Sequence, residues 1–136
     1  MLIPKEVIRY YKKVSCPRCK SSLNINEITI FKWDGELSSI AWCQQDPEHY
    51  EIRVGWENDP KHLFLDMESI DLITEDKQYT ISKYYDDNNV IKTQILIRPL
   101  DNIYDENIFW LQKVNLNLKL SQNKLINKIN TLLLFT

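Results

Sequence analysis

Two thiols lie close together near the start of the chain. Residues 14–22 read VSCPRCKSS, so Cys16 and Cys19 are separated only by a proline and an arginine. A Cys-x-x-Cys pair can bind a metal, carry out a redox reaction or form a disulfide. The third cysteine, Cys43, makes the count odd, so any disulfide scheme would leave one thiol unpaired. Metal binding and redox catalysis therefore remain as the two interpretations.

The residues after Cys19 bear on the redox interpretation. A redox pair of the thioredoxin type normally opens a helix, whose N-terminus lowers the thiol pKa. Residues 20–26, KSSLNIN, lack apolar residues at helical spacing and are rich in loop formers. The sequence therefore favours metal binding and keeps redox chemistry as the alternative.

A fourth metal ligand follows the third cysteine. In residues 42–50, WCQQDPEHY, five residues separate Cys43 from His49, which gives the pattern C-x2-C-x23-C-x5-H. Three thiolates and one imidazole fill the four tetrahedral positions of Zn²⁺ and leave none for water. The pattern thus predicts a structural Zn²⁺ site, and His62 is the substitute ligand should His49 point away. The predicted ligands are Cys16, Cys19, Cys43 and His49.

A β-hairpin is predicted between the two halves of this ligand set. Residues 27–33 and 36–42 are rich in strand-forming side chains. They are joined by Asp34-Gly35, which favours a two-residue type I′ turn. With Trp33 opposite Glu36, the two strands run back toward the first thiol pair.

This hairpin is expected to close the 23-residue gap in the ligand pattern. It places Cys43 opposite Asn26, and Asn26 is only seven residues after Cys19 along the chain. Asp46-Pro47 then interrupts regular structure, because the residue before a proline avoids the α region. The chain can bend there and return His49 toward the metal.

A third strand follows, and with it a resemblance. Apolar side chains alternate with polar ones from Tyr50 to Trp56, as in a strand with one buried face. Residues 14–56 resemble a zinc ribbon: Cys16-Pro17-Arg18-Cys19 matches its C-P-x-C knuckle, and the hairpin and third strand follow. The segment from Cys43 to His49 differs from the second knuckle, which is more often Cys-x-x-Cys. Zinc ribbons occur in transcription machinery, ribosomes, nucleases and virus proteins, so the resemblance implies a scaffold and no specific function.

The rest of the chain predicts a β-rich α+β fold in one domain over residues 1–136. A second hairpin is expected within residues 62–98, with its turn at Asp86 to Asn89. An amphipathic helix is expected over residues 121–134, with Ser121 as N-cap. The apolar side of this helix either packs on the sheet or binds another protein. We favour packing, because a thin sheet needs a helix to cover one of its faces. A short N-terminal helix begins near Pro4.

Charge is unevenly distributed along a chain whose formal net charge is −2. Residues 1–45 carry a net charge of +3, residues 46–106 a net −9 and residues 107–136 a net +4. Basic and aromatic side chains alternate in the first part, a combination that can bind single-stranded nucleic acid. The candidate contacts are Lys12, Lys13, Arg18, Lys20 and Trp33. A sequence pI of 5.7 favours the alternative, an ordinary solvated surface.

No phosphate-binding glycine loop or nucleophile elbow is present, so we expect a non-enzymatic protein. His49, Asn58 and His62 resemble the His-Asn-His set of zinc-associated nucleases, but at a shorter spacing, which leaves a nuclease as a remote alternative. We expect a zinc-stabilised module that binds a protein partner within a larger assembly. A nucleic-acid-binding accessory factor is the second hypothesis. Without a signal peptide or membrane span, we expect a cytoplasmic protein. Its richness in Asn, Ile and Lys is compatible with a bacterial or viral source.

Overall fold

A computed structural model describes residues 2–33, 36–86, 88–102 and 104–134, without the side chains of Trp33 and Glu57. Within these residues the chain forms two α-helices, a 3₁₀-helix at Ile25–Glu27 and seven strands. In chain order the helices and strands are α1 (Lys5–Lys12), β1 (Thr29–Trp33), β2 (Glu36–Trp42), β3 (Glu51–Glu57), β4 (Phe64–Ile73), β5 (Lys77–Tyr85), β6 (Ile91–Pro99), β7 (Asn107–Gln112) and α2 (Gln122–Leu133).

The seven strands form one antiparallel sheet in which each strand pairs with its neighbours in sequence, from β1 to β7. Such a meander needs only short connections, because antiparallel neighbours can be joined by tight turns. The predicted α+β class is confirmed. Strands β1 to β3, which carry the zinc-ribbon resemblance, continue into β4 without a break in the sheet.

The register of the first hairpin is confirmed, and its effect on the third cysteine is corrected. Trp33 pairs with Glu36 as predicted, while the predicted turn residues Asp34 and Gly35 lie outside the described part of the chain. Cys43 forms a bridge with Leu23 and not with Asn26. The reason is the 3₁₀-helix, which takes residues 25–27 out of the ladder. Cys43 thus pairs with a residue that is nearer to Cys19 along the chain than the predicted partner, Asn26.

Both predicted helices are present, and both bury apolar side chains in the same core as the sheet. In α1, Val7 and Tyr11 are fully buried, and the Tyr11 hydroxyl lies 2.7 Å from Ser39 Oγ on β2. In α2, Leu125 and Ile129 are fully buried, which confirms that this side of the helix packs. Ser121 caps α2 as predicted: its Oγ accepts a hydrogen bond from the Lys124 backbone N–H at 3.4 Å.

The second predicted hairpin is confirmed as β5 and β6, and its turn is built by Asp86. The Asp86 side chain accepts hydrogen bonds from the backbone N–H groups of Asn88 at 2.9 Å and Val90 at 2.8 Å. Asn89 adopts a positive φ of 59°, which asparagine tolerates better than most residues. Within the described part of the chain, no helix is long and apolar enough to cross a membrane.

One close approach in the sheet requires glycine. Gly55 on β3 pairs with Phe64 on β4, and the Phe64 ring lies over the glycine. A Cβ atom at position 55 would lie 2.5 Å from Phe64 Cζ, which is well inside van der Waals contact. The ring therefore fills the space that a larger residue at position 55 would need.

We predict that Gly55→Ala lowers the free energy of unfolding by about 1 to 3 kcal/mol, the usual cost of overpacking. Urea unfolding followed by circular dichroism measures the change. In a Phe64→Ala background the same substitution should cost less, because the clashing ring is gone. An equal cost in both backgrounds would contradict the contact as its cause.

Candidate metal centre

The structure brings all four predicted ligands together. One ligand atom from each of Cys16, Cys19, Cys43 and His49 lies within 4.8 Å of the other three, so the group could hold a metal ion. Cys16 and Cys43 are buried, whereas Cys19 and His49 are partly exposed. The predicted substitute, His62, lies outside the cluster: its side chain is 84% exposed and its Nε2 is 3.3 Å from Asp59 Oδ2.

A tight backbone reversal brings the first two thiols to one side of the chain. The Cys16 N–H donates to Ser21 O at 2.9 Å, and the Lys20 N–H donates to Cys16 O at 2.9 Å. Lys20 takes a φ of 66°, in the left-handed region. The Arg18 N–H also points at Cys16 Sγ, at 3.4 Å. A backbone N–H directed at sulfur favours the thiolate, the form in which cysteine binds metals.

A second turn carries the histidine back to the third cysteine. The Asp46 side chain accepts a hydrogen bond from the Glu48 N–H at 3.0 Å, and the Asp46 carbonyl accepts one from the His49 N–H at 3.0 Å. The Cys43 N–H donates to Tyr50 O at 3.0 Å, which closes the loop between β2 and β3. His49 Nδ1 then lies 3.9 Å from Cys43 Sγ. The sequence argument from Asp46-Pro47 predicted this return of the chain.

Backbone contacts join the two ligand-bearing segments. The Gln44 N–H donates to Ser22 O at 3.1 Å, and the Asn24 N–H donates to Trp42 O at 2.8 Å. These bonds flank the bridge between Leu23 and Cys43. The position of the third thiol against the first pair is therefore fixed by the main chain.

Arg18 anchors the first knuckle to the sheet and to α2. Its guanidinium donates to Asp71 O and, at 3.3 Å, to Gln122 Oε1. The Gln122 amide in turn donates to Ile73 O at 2.9 Å. The sequence interpretation placed Arg18 among candidate nucleic-acid contacts and missed this anchoring role. Because its partners are 53 and 104 residues away, no local pattern could indicate it.

The sulfur distances suit a tetrahedral metal site. Cys19 Sγ lies 3.3 Å from Cys43 Sγ, too far for a disulfide, whose S–S bond is about 2.05 Å. All three cysteines are free thiols. Zn–S bonds of about 2.3 Å at tetrahedral angles place two sulfurs about 3.8 Å apart. Small side-chain shifts would therefore admit a Zn²⁺ ion between the four ligand atoms.

The two thiols of the first knuckle differ in ionisation. Burial raises the pKa of Cys16 to about 11. Burial also acts to raise the pKa of Cys19, but hydrogen bonds with Ser21, His49 and Cys43 outweigh it and bring the pKa to about 6. A cation bound here must therefore displace a proton from the buried Cys16 thiol, and its positive charge stabilises the thiolate so formed.

The Asp46 carboxylate lies near the His49 ring, on the side away from Cys43. Asp46 Oδ2 is 3.8 Å from His49 Nε2, on the nitrogen that does not face Cys43. Metal-bound histidines commonly present their second ring nitrogen to a carboxylate, which fixes the tautomer and raises ligand basicity. The sequence argument treated Asp46 only as a residue that interrupts regular structure, although its position three residues before His49 places its carboxylate near the imidazole.

The other candidate residues are not among the four that converge. Lys12 is exposed at the end of α1, while Lys13 and Lys20 line a cavity beside the first knuckle. The Trp33 side chain lies outside the described part of the structure. Asn58 and His62, the remaining nuclease candidates, line a surface hollow next to Trp56 that His49 does not reach.

Comparison of the chain with protein families, curated proteins and solved structures gives no match. The functional conclusions therefore rest on the four-ligand cluster and its surroundings.

Proposed function

We propose that this protein is a non-enzymatic binding module whose fold is stabilised by one Zn²⁺ ion, held by Cys16, Cys19, Cys43 and His49. The single observation that carries the proposal is the convergence of these ligand atoms within 4.8 Å. Thiolate and imidazole ligands select Zn²⁺, whereas Mg²⁺ and Ca²⁺ prefer oxygen. The zinc-ribbon resemblance of residues 14–56 supports the same metal.

A structural role follows from the number and burial of the ligands. Four protein ligands saturate a tetrahedral ion and leave no position for water or substrate. Zinc-finger peptides bind Zn²⁺ with about 10 to 16 kcal/mol at neutral pH, and that free energy also stabilises their fold. Because a typical domain is stable by only about 5 to 15 kcal/mol, one such ion can decide whether this region folds.

We predict one zinc ion per chain in protein purified without added metal, measured by elemental analysis. Cys43→Ser and His49→Ala should each lose most of the metal, because each removes a ligand from a four-coordinate site. The same variants should unfold at lower temperature than the parent protein.

His62→Ala is the matched control, since it removes an exposed histidine outside the cluster. It should keep one zinc ion per chain and the parent melting temperature. Full metal content in His49→Ala, or loss of metal in His62→Ala, would contradict the assignment of His49 as the fourth ligand.

The binding part of the proposal is supported by the edge of the sheet at β7. Ile108 and Trp110 on this strand are 51% and 47% exposed. The strand reads NIFWLQ, without a charged residue or a proline. Edge strands of this length usually carry such residues, because an open edge pairs readily with another strand. A strand from a protein partner therefore fits this edge by β-augmentation, with its apolar side chains against Ile108 and Trp110.

We predict that a photo-crosslinking amino acid at Gln112, beside this edge, captures a defined polypeptide in the cells that make the protein. Mass spectrometry of the adduct identifies it. The same amino acid at Asn123, exposed on α2, should give no adduct. Ile108→Lys with Trp110→Lys should abolish the Gln112 adduct. Equal adducts at both positions, or none at either, would contradict a partner at the β7 edge.

Nucleic-acid binding is the second candidate function. Its support is that Lys13, at the C-terminal end of α1, and Lys20, directly after the first knuckle, line the same cavity. Arg18 contributes less to it, because its guanidinium is already bound by Asp71 O and Gln122.

A further inference from the structure

A cavity of about 570 Å³ lies between the sheet and the segments that pack on it. Its walls come from the end of α1, the first knuckle and residues 115–119. The volume falls within the range of about 300 to 1,000 Å³ that is usual for small-molecule sites. Cys16 forms part of the wall, so the cavity adjoins the candidate metal centre.

Lys83 and Glu68 line the cavity on the side of the sheet and belong to a group of buried and partly buried polar side chains. Lys83 is only 6% exposed, and its Nζ donates to Leu116 O at 2.9 Å and lies 3.8 Å from Glu68 Oε2. Glu68 also accepts hydrogen bonds from Tyr50 at 2.8 Å and Tyr85 at 3.3 Å. Burial lowers the pKa of Lys83, which the nearby Glu68 carboxylate opposes. The charges of Lys83 and Glu68 compensate each other, so this side of the cavity is polar and close to neutral.

The mouth of the cavity is positively charged. Lys13, Lys20 and Lys119 are exposed and line it from three separate segments. Among the described residues that line the cavity, Glu68 is the one acidic side chain, and it is paired with Lys83. This local excess of positive charge stands on a chain whose net charge is −2. Lysine side chains that converge in this way suit a multiply charged anion such as a phosphate.

Ring surface and amide groups lie next to these lysines. Tyr10 lines the cavity and packs edge-on against Tyr11, with the ring planes at 84°. Asn115 and Asn117 also line it and are exposed. An aromatic side chain can stack on any nucleobase, and amides supply both donors and acceptors for base edges.

We propose that this cavity binds a nucleotide, with its base against Tyr10 and its phosphate at Lys13, Lys20 and Lys119. A free nucleotide and the terminal nucleotide of a single strand present the same chemistry. If the ligand is the end of a nucleic-acid strand, the proposal rests on nucleic-acid binding, the second candidate function; if it is a free nucleotide, it does not. The site is separate from the β7 edge and is not used in the zinc proposal.

Isothermal titration calorimetry on the full chain tests the site at low salt, where phosphate contacts are strongest. The probes are the ribonucleoside 5′-monophosphates, adenosine, inorganic phosphate and a 5′-phosphorylated hexanucleotide. We expect at least one monophosphate to bind more tightly than adenosine and inorganic phosphate. Lys13→Glu with Lys119→Glu should weaken it roughly tenfold or more, because two phosphate contacts become repulsive. Tyr10→Leu should weaken the nucleotide and leave phosphate unchanged.

The matched control is Lys124→Glu with Lys128→Glu, the same charge change on exposed residues of α2. It should leave nucleotide affinity unchanged. Equal weakening by both double variants, tighter binding of inorganic phosphate than of any nucleotide, or no binding by any probe would overturn the proposal. A hexanucleotide that binds but does not respond to the Lys13 and Lys119 changes would overturn the strand end as the source and would indicate nucleic-acid binding elsewhere on the surface. Weaker binding of the hexanucleotide to the Lys13 and Lys119 double variant would identify the end of a strand as the source of the bound nucleotide.

Discussion

The meeting of Cys16, Cys19, Cys43 and His49 within one small volume is the constraint on which the surrounding structure depends. Two loops far apart in sequence must each be held in shape and then held against each other. The first loop is shaped by hydrogen bonds around Cys16, and the second by the Asp46 turn. A cation that bound all three thiols and the imidazole would stabilise the thiolates and hold the two loops together.

A metal at this position would add a further link between segments that are already joined by backbone hydrogen bonds and by Arg18. The first knuckle follows α1, and Arg18 connects that knuckle to β4 and to the start of α2. Cys43 and His49 lie in the loop that connects β2 to β3. Both helices bury their apolar sides in the same core as the strands. Loss of the ion is therefore expected to loosen the N-terminal segment, the cavity wall that contains Cys16 and the anchoring of α2.

The sequence predicted what depends on local pattern. Spacing, turn chemistry or capping preference accounts for the convergence of the three cysteines with His49, the register of the β1–β2 hairpin, the β5–β6 hairpin and the Ser121 cap. It did not predict the bridge of Cys43 to Leu23, because a three-residue 3₁₀-helix without strong propensity displaces the ladder. Nor could it place Arg18 against Asp71 or Lys83 against Glu68, since those contacts depend on how distant strands and helices meet.

X-ray absorption spectroscopy at the zinc edge tests the central claim most directly, because it reports the identity and distance of the metal's ligands without a crystal. The account predicts three sulfur ligands at about 2.3 Å and one nitrogen at about 2.0 to 2.1 Å. His49→Ala should remove the nitrogen while the sulfur distances persist in any protein that retains metal. A shell of oxygen and nitrogen alone, or one with fewer than three sulfurs in the parent protein, would contradict it.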